Sequence, residues 1–269
     1  MNGNLVIALV CAMAAFECHP TSTSLPDAGT DAGAPPPAGF DINGTVRNRL
    51  TGTLPPEGTC VHVSEVPPAD EEGPLDFLAT STVGSDGSYL LTNVSTTSAA
   101  GLWLIVDPCP EPGPTTVMAT ANGLSADAYA GLGEGDILAA DPIFFLAGED
   151  ATSIDQSLVA VGATATLGTD GAIVGFVLDA TGVPIGGATV GCGGCATTYY
   201  ADDNPSDGLF GSPSTGINAA TDPALLAMFA IPGAPLHTYS ADDGGAHSFG
   251  SVDSRAYPGY VVLVRLDAE

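Results

Sequence analysis

The stretch AIVGFVLDATGVPIGGATVGC, residues 172–192, decides the fold class. Val174, Phe176 and Leu178 alternate, which predicts a strand with those three side chains turned inward. Asp179-Ala-Thr-Gly182 then reverses the chain, because Asp caps its own turn and Gly accepts a left-handed backbone. Pro184 fixes the exit from the turn, and Ala188 and Val190 begin a second strand. The small residues Gly186, Gly187 and Ala188 permit close backbone approach where that strand starts.

The same rhythm of short strands and tight turns runs outward from this point. FDINGTVRNRLTGTLPPEGTCVHV, residues 40–63, reads as strand, turn and strand. In GSDGSYLLTNV, residues 84–94, Asp86-Gly87 marks a tight turn before an alternating strand. Leu102-Trp103-Leu104-Ile105-Val106 is apolar on both faces, as a central strand must be, with Trp103 in the core. Thirty-five Gly and 22 Pro among 269 residues favour many turns over long helices. The best helix candidate is 153–163, SIDQSLVAVGA, where Ser153 and Gln156 form a capping-box pattern. The expected architecture is therefore all-β, with two tandem β-sandwiches at 40–150 and 169–269. A short helix and linker at 151–168 join them.

The 172–192 stretch resembles the repeat Gly-x-Val-x-Asp-x-x-Gly-x-Pro-x-x-Gly-Ala-x-Val of carboxypeptidase regulatory-like domains, a transthyretin-like β-sandwich family. Gly175, Val177, Asp179, Gly182, Pro184, Gly187, Ala188 and Val190 occupy the matching positions without a gap. The first segment is a degenerate copy: Gly44-Thr45-Val46 and Gly52 fit, while Leu54-Pro55-Pro56-Glu57 replaces the later part. The resemblance implies a non-catalytic accessory domain that supports folding, adhesion or ligand contact.

Charge excludes several function classes. Thirty-one acidic residues face only Arg47, Arg49, Arg255 and Arg265, with no lysine and a formal net charge of −27. Nucleic-acid binding needs clustered Lys or Arg to release counterions, and this field repels phosphate. Lysine Schiff-base chemistry and a Walker-type phosphate loop are excluded with it.

Residues 5–16, LVIALVCAMAAF, have the length of the apolar core of an export signal and are too short to span a bilayer. Residues 1–18 are read as a signal peptide, although no basic residue precedes the apolar run. Residues 19–39, rich in Pro, Gly, Ala and Asp, read as a disordered linker. Cys18, between them, resembles the lipidated cysteine of a bacterial lipoprotein; Ala15-Phe16-Glu17 departs from the usual small residues before it. The expected location is secreted or on the outer cell surface, with a lipid anchor as the sole link to a membrane.

The four later cysteines suit an oxidising compartment. Cys60 lies on one expected strand and Cys109 follows another, so these two can bridge strands. Cys192-Gly-Gly-Cys195 reads as a local disulfide, or as half of a zinc or redox site. Zinc needs four ligands and no second pair follows; redox CxxC pairs open helices, whereas this one ends a strand.

The candidate chemistry is sparse. Tyr199, Tyr200, Tyr239, His237 and His247 are the residue types that hold iron in intradiol dioxygenases, a family that shares the sandwich. Its His-x-His spacing is absent here. No Gly-x-Ser-x-Gly elbow and no HExxH pair occurs. Asp202, Asp203, Asn204 and Asp207 in ADDNPSDG offer hard oxygen donors at short spacing, which makes calcium the one cofactor candidate; Asp242-Asp243 is a weaker second. Tyr199 and Tyr200, with Tyr257, are the expected exposed aromatics for a glycan or peptide. The reading is an exported, non-catalytic protein for adhesion, scaffolding or ligand binding. Its partner is a protein or a glycan.

Overall fold

The computed structural model describes residues 39–66, 76–109, 117–181, 183, 185–192, 198–200, 225–229 and 237–269. In the first half the strands are β1 Phe40–Asn48, β2 Cys60–Ser64, β3 Ala79–Thr82, β4 Ser88–Val94, β5 Leu102–Asp107, β6 Val117–Met118, β7 Thr120–Leu124, β8 Ile137–Ala139 and β9 Ile143–Ala147. Helices α1 Gly148–Ala160 and α2 Leu167–Asp170 follow. The second half holds β10 Ala172–Leu178, β11 Thr189–Cys192, β12 Thr198–Tyr200, β13 Leu225–Phe229, β14 His237–Asp242, β15 Ser251–Ser254 and β16 Val261–Asp267. The fold is all-β.

Its organising element is an eight-stranded sheet in the order β12-β13-β10-β16-β7-β5-β2-β3. Both halves of the chain contribute to it. The seam is β16, which runs parallel to β10 on one side and to β7 on the other. The sequence explains why. Val261, Val262, Leu263 and Val264 are all buried, and a continuous apolar run is stable only in a strand covered on both faces and both edges. Residues 40–150 and 169–269 thus meet within one sheet rather than across a linker, and Pro36–Glu269 form one compact unit.

The two sandwiches use opposite faces of that sheet. Leu102, Leu104 and Val106 of β5 pack with Val61 and Val63 against Phe40, Ile42, Val46 and Phe145 of the sheet β4-β1-β9-β6, to which β8 adds beside β1. Ile105, on the other face of β5, joins Ile173, Val177, Val262 and Val264 against Val190 and Tyr239 of the sheet β11-β14-β15. On the first face, α1 and α2 cover Val174, Phe176, Leu178, Val261 and Leu263. All seven residues of β10 are buried, so the inward alternation expected there becomes burial on both faces. Arg49, just after β1, ties the halves together by stacking its guanidinium 4.0 Å from the Phe176 ring.

The expected helix starts earlier than its capping pattern implied. α1 begins at Gly148, with Ala147 as N-cap and no side-chain cap bond, and Ser153 and Gln156 lie in its interior. Glu149 and Asp150 occupy the first turn, where their charge complements the helix dipole. Burial of Ala151, Ile154 and Leu158 at helical spacing sets its orientation.

The turn aspartates behave as read, while Gly182 and Pro184 lie outside the described residues. Asp179 Oδ1 accepts bonds from Thr181 N–H, Thr181 Oγ1 and Val183 N–H at 2.8, 2.7 and 2.9 Å. The Thr181 hydroxyl bond, followed by the Val183 amide, holds the Asp179 pKa below its ordinary value. Asp86 does the same for Ser88, beside Gly87 at φ 82°.

Candidate functional site

The parting of β7 and β16 makes a cleft. Their ladder pairs Val261 with Thr120, Val262 with Ala121 and Leu263 with Asn122, and stops there. β7 continues along β5 to Leu124, while β16 continues along β10 to Asp267. The wedge between them is a cavity of about 640 Å³, within the range of small-ligand sites. Trp103, Leu104, Phe144 and Val264 supply apolar wall, and Asp141, Asp253 and Asp267 stand with Arg265 among its polar lining.

Asn122 holds the floor by bridging two sheets: its amide accepts from Phe144 N–H at 3.0 Å and donates to the Phe144 carbonyl at 3.0 Å. Ser254, the last residue of β15, lines the same cleft. It is 1% exposed, and its hydroxyl is buried with no hydrogen-bond partner. Such a group costs about 1–3 kcal/mol until something pairs with it. Arg265 donates to Asp267 at 3.0 Å across the exposed end of β16.

A second polar cluster lies away from the cleft, beside the disulfide. Cys60 and Cys109 are bonded as expected, with Cα atoms 5.1 Å apart. His62, buried on β2, places Nδ1 2.8 Å from Thr80 Oγ1 and Nε2 3.2 Å from Asp107 Oδ2, under the Phe77 ring at 4.0 Å. Burial raises the Asp107 pKa, but the His62 bond and the Cys109 N–H together outweigh it, and the net shift is downward. Carboxylate, imidazole and hydroxyl stand in sequence, yet both ring nitrogens are engaged across adjacent strands and none of the three lines the cleft. The cluster reads as a cross-strand polar rung.

The aromatics expected to be exposed are not. Tyr199 and Tyr200 are 8% and 5% exposed, and Tyr257 is buried in the core. β12 pairs with β13 and turns both neighbouring tyrosines into the interior. Tyr200 Oη accepts from Val190 N–H at 2.9 Å and donates to its carbonyl at 3.3 Å. Neither ring is available to stack on a glycan. Burial pushes the Tyr239 hydroxyl up to about 12, and His237 meets that ring edge-on at 6.5 Å between centroids. His247 Nδ1 sits 2.5 Å from Asp243 Oδ2.

The weaker acidic pair is occupied by its own turn: Asp242 accepts from Gly244 N–H, and Asp243 from Ala246 and His247 N–H. Asp202, Asp203, Asn204, Asp207, Cys18 and the Cys192–Cys195 pairing lie outside the described residues. Trp103, expected in the core, is half-buried at the cleft.

No known protein family and no curated protein matches the chain. Several solved structures overlap it at low similarity. The Bacillus anthracis TIE protein shares 7% identity over 86% of this chain at TM-score 0.23, and the chain spans 34% of its length. The family 26 carbohydrate-binding module of Eubacterium rectale Amy13K, solved with maltoheptaose, shares 13% over 86% of this chain and 94% of its own, at TM-score 0.25. The Lactobacillus rhamnosus GG shaft pilin SpaA shares 11% over 86% of this chain and 98% of its own, at TM-score 0.25.

Proposed function

We propose that the chain is a non-catalytic, exported binding module, of carboxypeptidase regulatory-like type, whose ligand site is the cleft where β7 and β16 part. The observation that carries this reading is the Ser254 hydroxyl, buried without a partner in the wall of a cavity of about 640 Å³. Export is supported by the apolar run at 5–16, by the spacer after it, and by the Cys60–Cys109 bond, which belongs to an oxidising compartment. Among the described residues no helix is long and apolar enough to cross a membrane. A lipid at Cys18, between the apolar run and the spacer, is the proposed tether. Calcium at Asp202, Asp203, Asn204 and Asp207 is a secondary part of the proposal.

Amide NMR titration with a panel of peptides and oligosaccharides tests the site. Shifts gathered on 122–124, 252–254 and 263–267 are expected for a true ligand. Ligands that shift other residues only would overturn the assignment. Surface proteolysis of intact cells, compared between wild type and Cys18→Ala, tests the tether: loss of cell-associated protein in the variant is expected, and unchanged retention would refute it.

A further inference from the structure

We propose that the cleft takes an extended, basic peptide, which pairs with the interrupted edge of β16. The inference rests on the cleft being the ligand site. Its first support is backbone direction. Ala172 N–H donates to the Tyr260 carbonyl and Ala268 N–H to the Leu178 carbonyl, so even-numbered residues of β16 face β10. Val261 N–H donates to the Ala119 carbonyl, so odd-numbered residues face β7.

The β7 ladder ends at Leu263, and the next pairing on that edge is the Phe249–Ala268 bridge. Among the described residues no strand pairs with residues 264–267 on this edge, which leaves a gap in the ladder of about 13 Å at a strand's rise per residue. Arg265 turns its N–H and carbonyl into that gap. An extended peptide satisfies both, as in other complexes that add a strand to an open edge. Its alternate side chains then reach the apolar wall at Trp103 and Val252, with the Ser254 hydroxyl beside them.

Charge names the occupant. Three exposed carboxylates, Asp141, Asp253 and Asp267, share the cleft lining with the single cation Arg265, which is already bonded to Asp267. The surrounding field of a chain at −27 draws cations to it. A second copy of this chain is the wrong occupant: it has four arginines and no lysine, and two copies repel. A peptide alternating basic and apolar residues fits both the walls and the charge.

Acetyl-Lys-Val-Lys-Val-Lys-Val-amide is the probe, titrated into the full chain at physiological salt. Expected is saturable binding, weakened about tenfold when alternate peptide nitrogens are methylated, since methylation keeps charge and removes donors. Arg265→Pro removes the cleft-facing N–H and no bond to β10; it should weaken binding by a similar factor, while Arg265→Ala should not. Equal binding of the methylated peptide would overturn the proposal, because attraction is then charge alone. If Arg265→Pro fails to fold, the methylated peptide decides. If an oligosaccharide or an acidic peptide shifts the cleft amides and this probe does not, the peptide inference falls and the cleft stands. If no ligand moves them, both fall.

Discussion

Removing the Cys60–Cys109 bond should destabilise the protein by about 4 kcal/mol. The bond spans 49 residues of sequence, and the chain-entropy relation for a loop of that length gives about −14 cal/mol/K, or about 4 kcal/mol at 25 °C. The loss acts on the unfolded chain, since β2 and β5 remain paired from Cys60–Asp107 to Ser64–Trp103 without it. For a cooperative unit of this size, each kcal/mol moves Tm by about 2–4 °C, so a fall of about 8–16 °C is expected. The assay is scanning calorimetry of Cys60→Ala/Cys109→Ala beside wild type in reductant-free buffer, with urea titration to obtain the free energy. The double variant is preferable to a reductant, which is not selective for this bond. A Tm within about 2 °C of wild type would refute the reasoning, as would peptide mapping that finds Cys60 unlinked to Cys109.

Gly171→Ala should destabilise by at least about 1–3 kcal/mol in a urea melt, because Gly171 has φ 73° and an added Cβ would lie 1.9 Å from the Tyr257 carbonyl oxygen. A neutral result would show that 171 and 257 do not meet. Ile154→Ala, which empties a fully buried position under β10 and β16, should cost about 2–5 kcal/mol in the same assay, and an effect below about 1 kcal/mol would remove α1 from the core. Asp107 has its folded pKa below the ordinary 3.8. Its stabilisation is therefore fully present above the unfolded value and lost as pH falls through the folded one. The stability gap between wild type and Asp107→Asn should be constant at neutral pH and narrow below pH 3.8; a gap unchanged into strong acid would contradict the His62 pairing.

Local chemistry was legible in the sequence and long-range pairing was not. The 172–192 stretch disclosed its strand, and Asp179 and Asp86 disclosed their turns, because each signal acts within a few residues. Cys60 and Cys109 were readable as partners from the strands flanking them. The shared sheet was not, since Val261 beside Thr120 is a contact between distant parts of the chain and periodicity carries no information about neighbours. Tyr199 and Tyr200 sit among Gly, Asp and Pro and so resembled surface aromatics, yet their pairing with β13 buries them. The cleft follows from the same seam. Ser254 and Trp103 line it only because β7 and β16 diverge, and nothing local marks that point.

Residue-resolved amide hydrogen exchange along β16 in the free protein tests the seam and the open edge together. Val261 and Leu263, facing β7, and Val262, Val264 and Leu266, facing β10, should exchange slowly, while Arg265 and Asp267 between them exchange fast. Uniformly slow exchange from Val261 to Asp267 would mean the edge is already filled, and rapid exchange at Val261 and Leu263 would mean the two halves do not share a sheet.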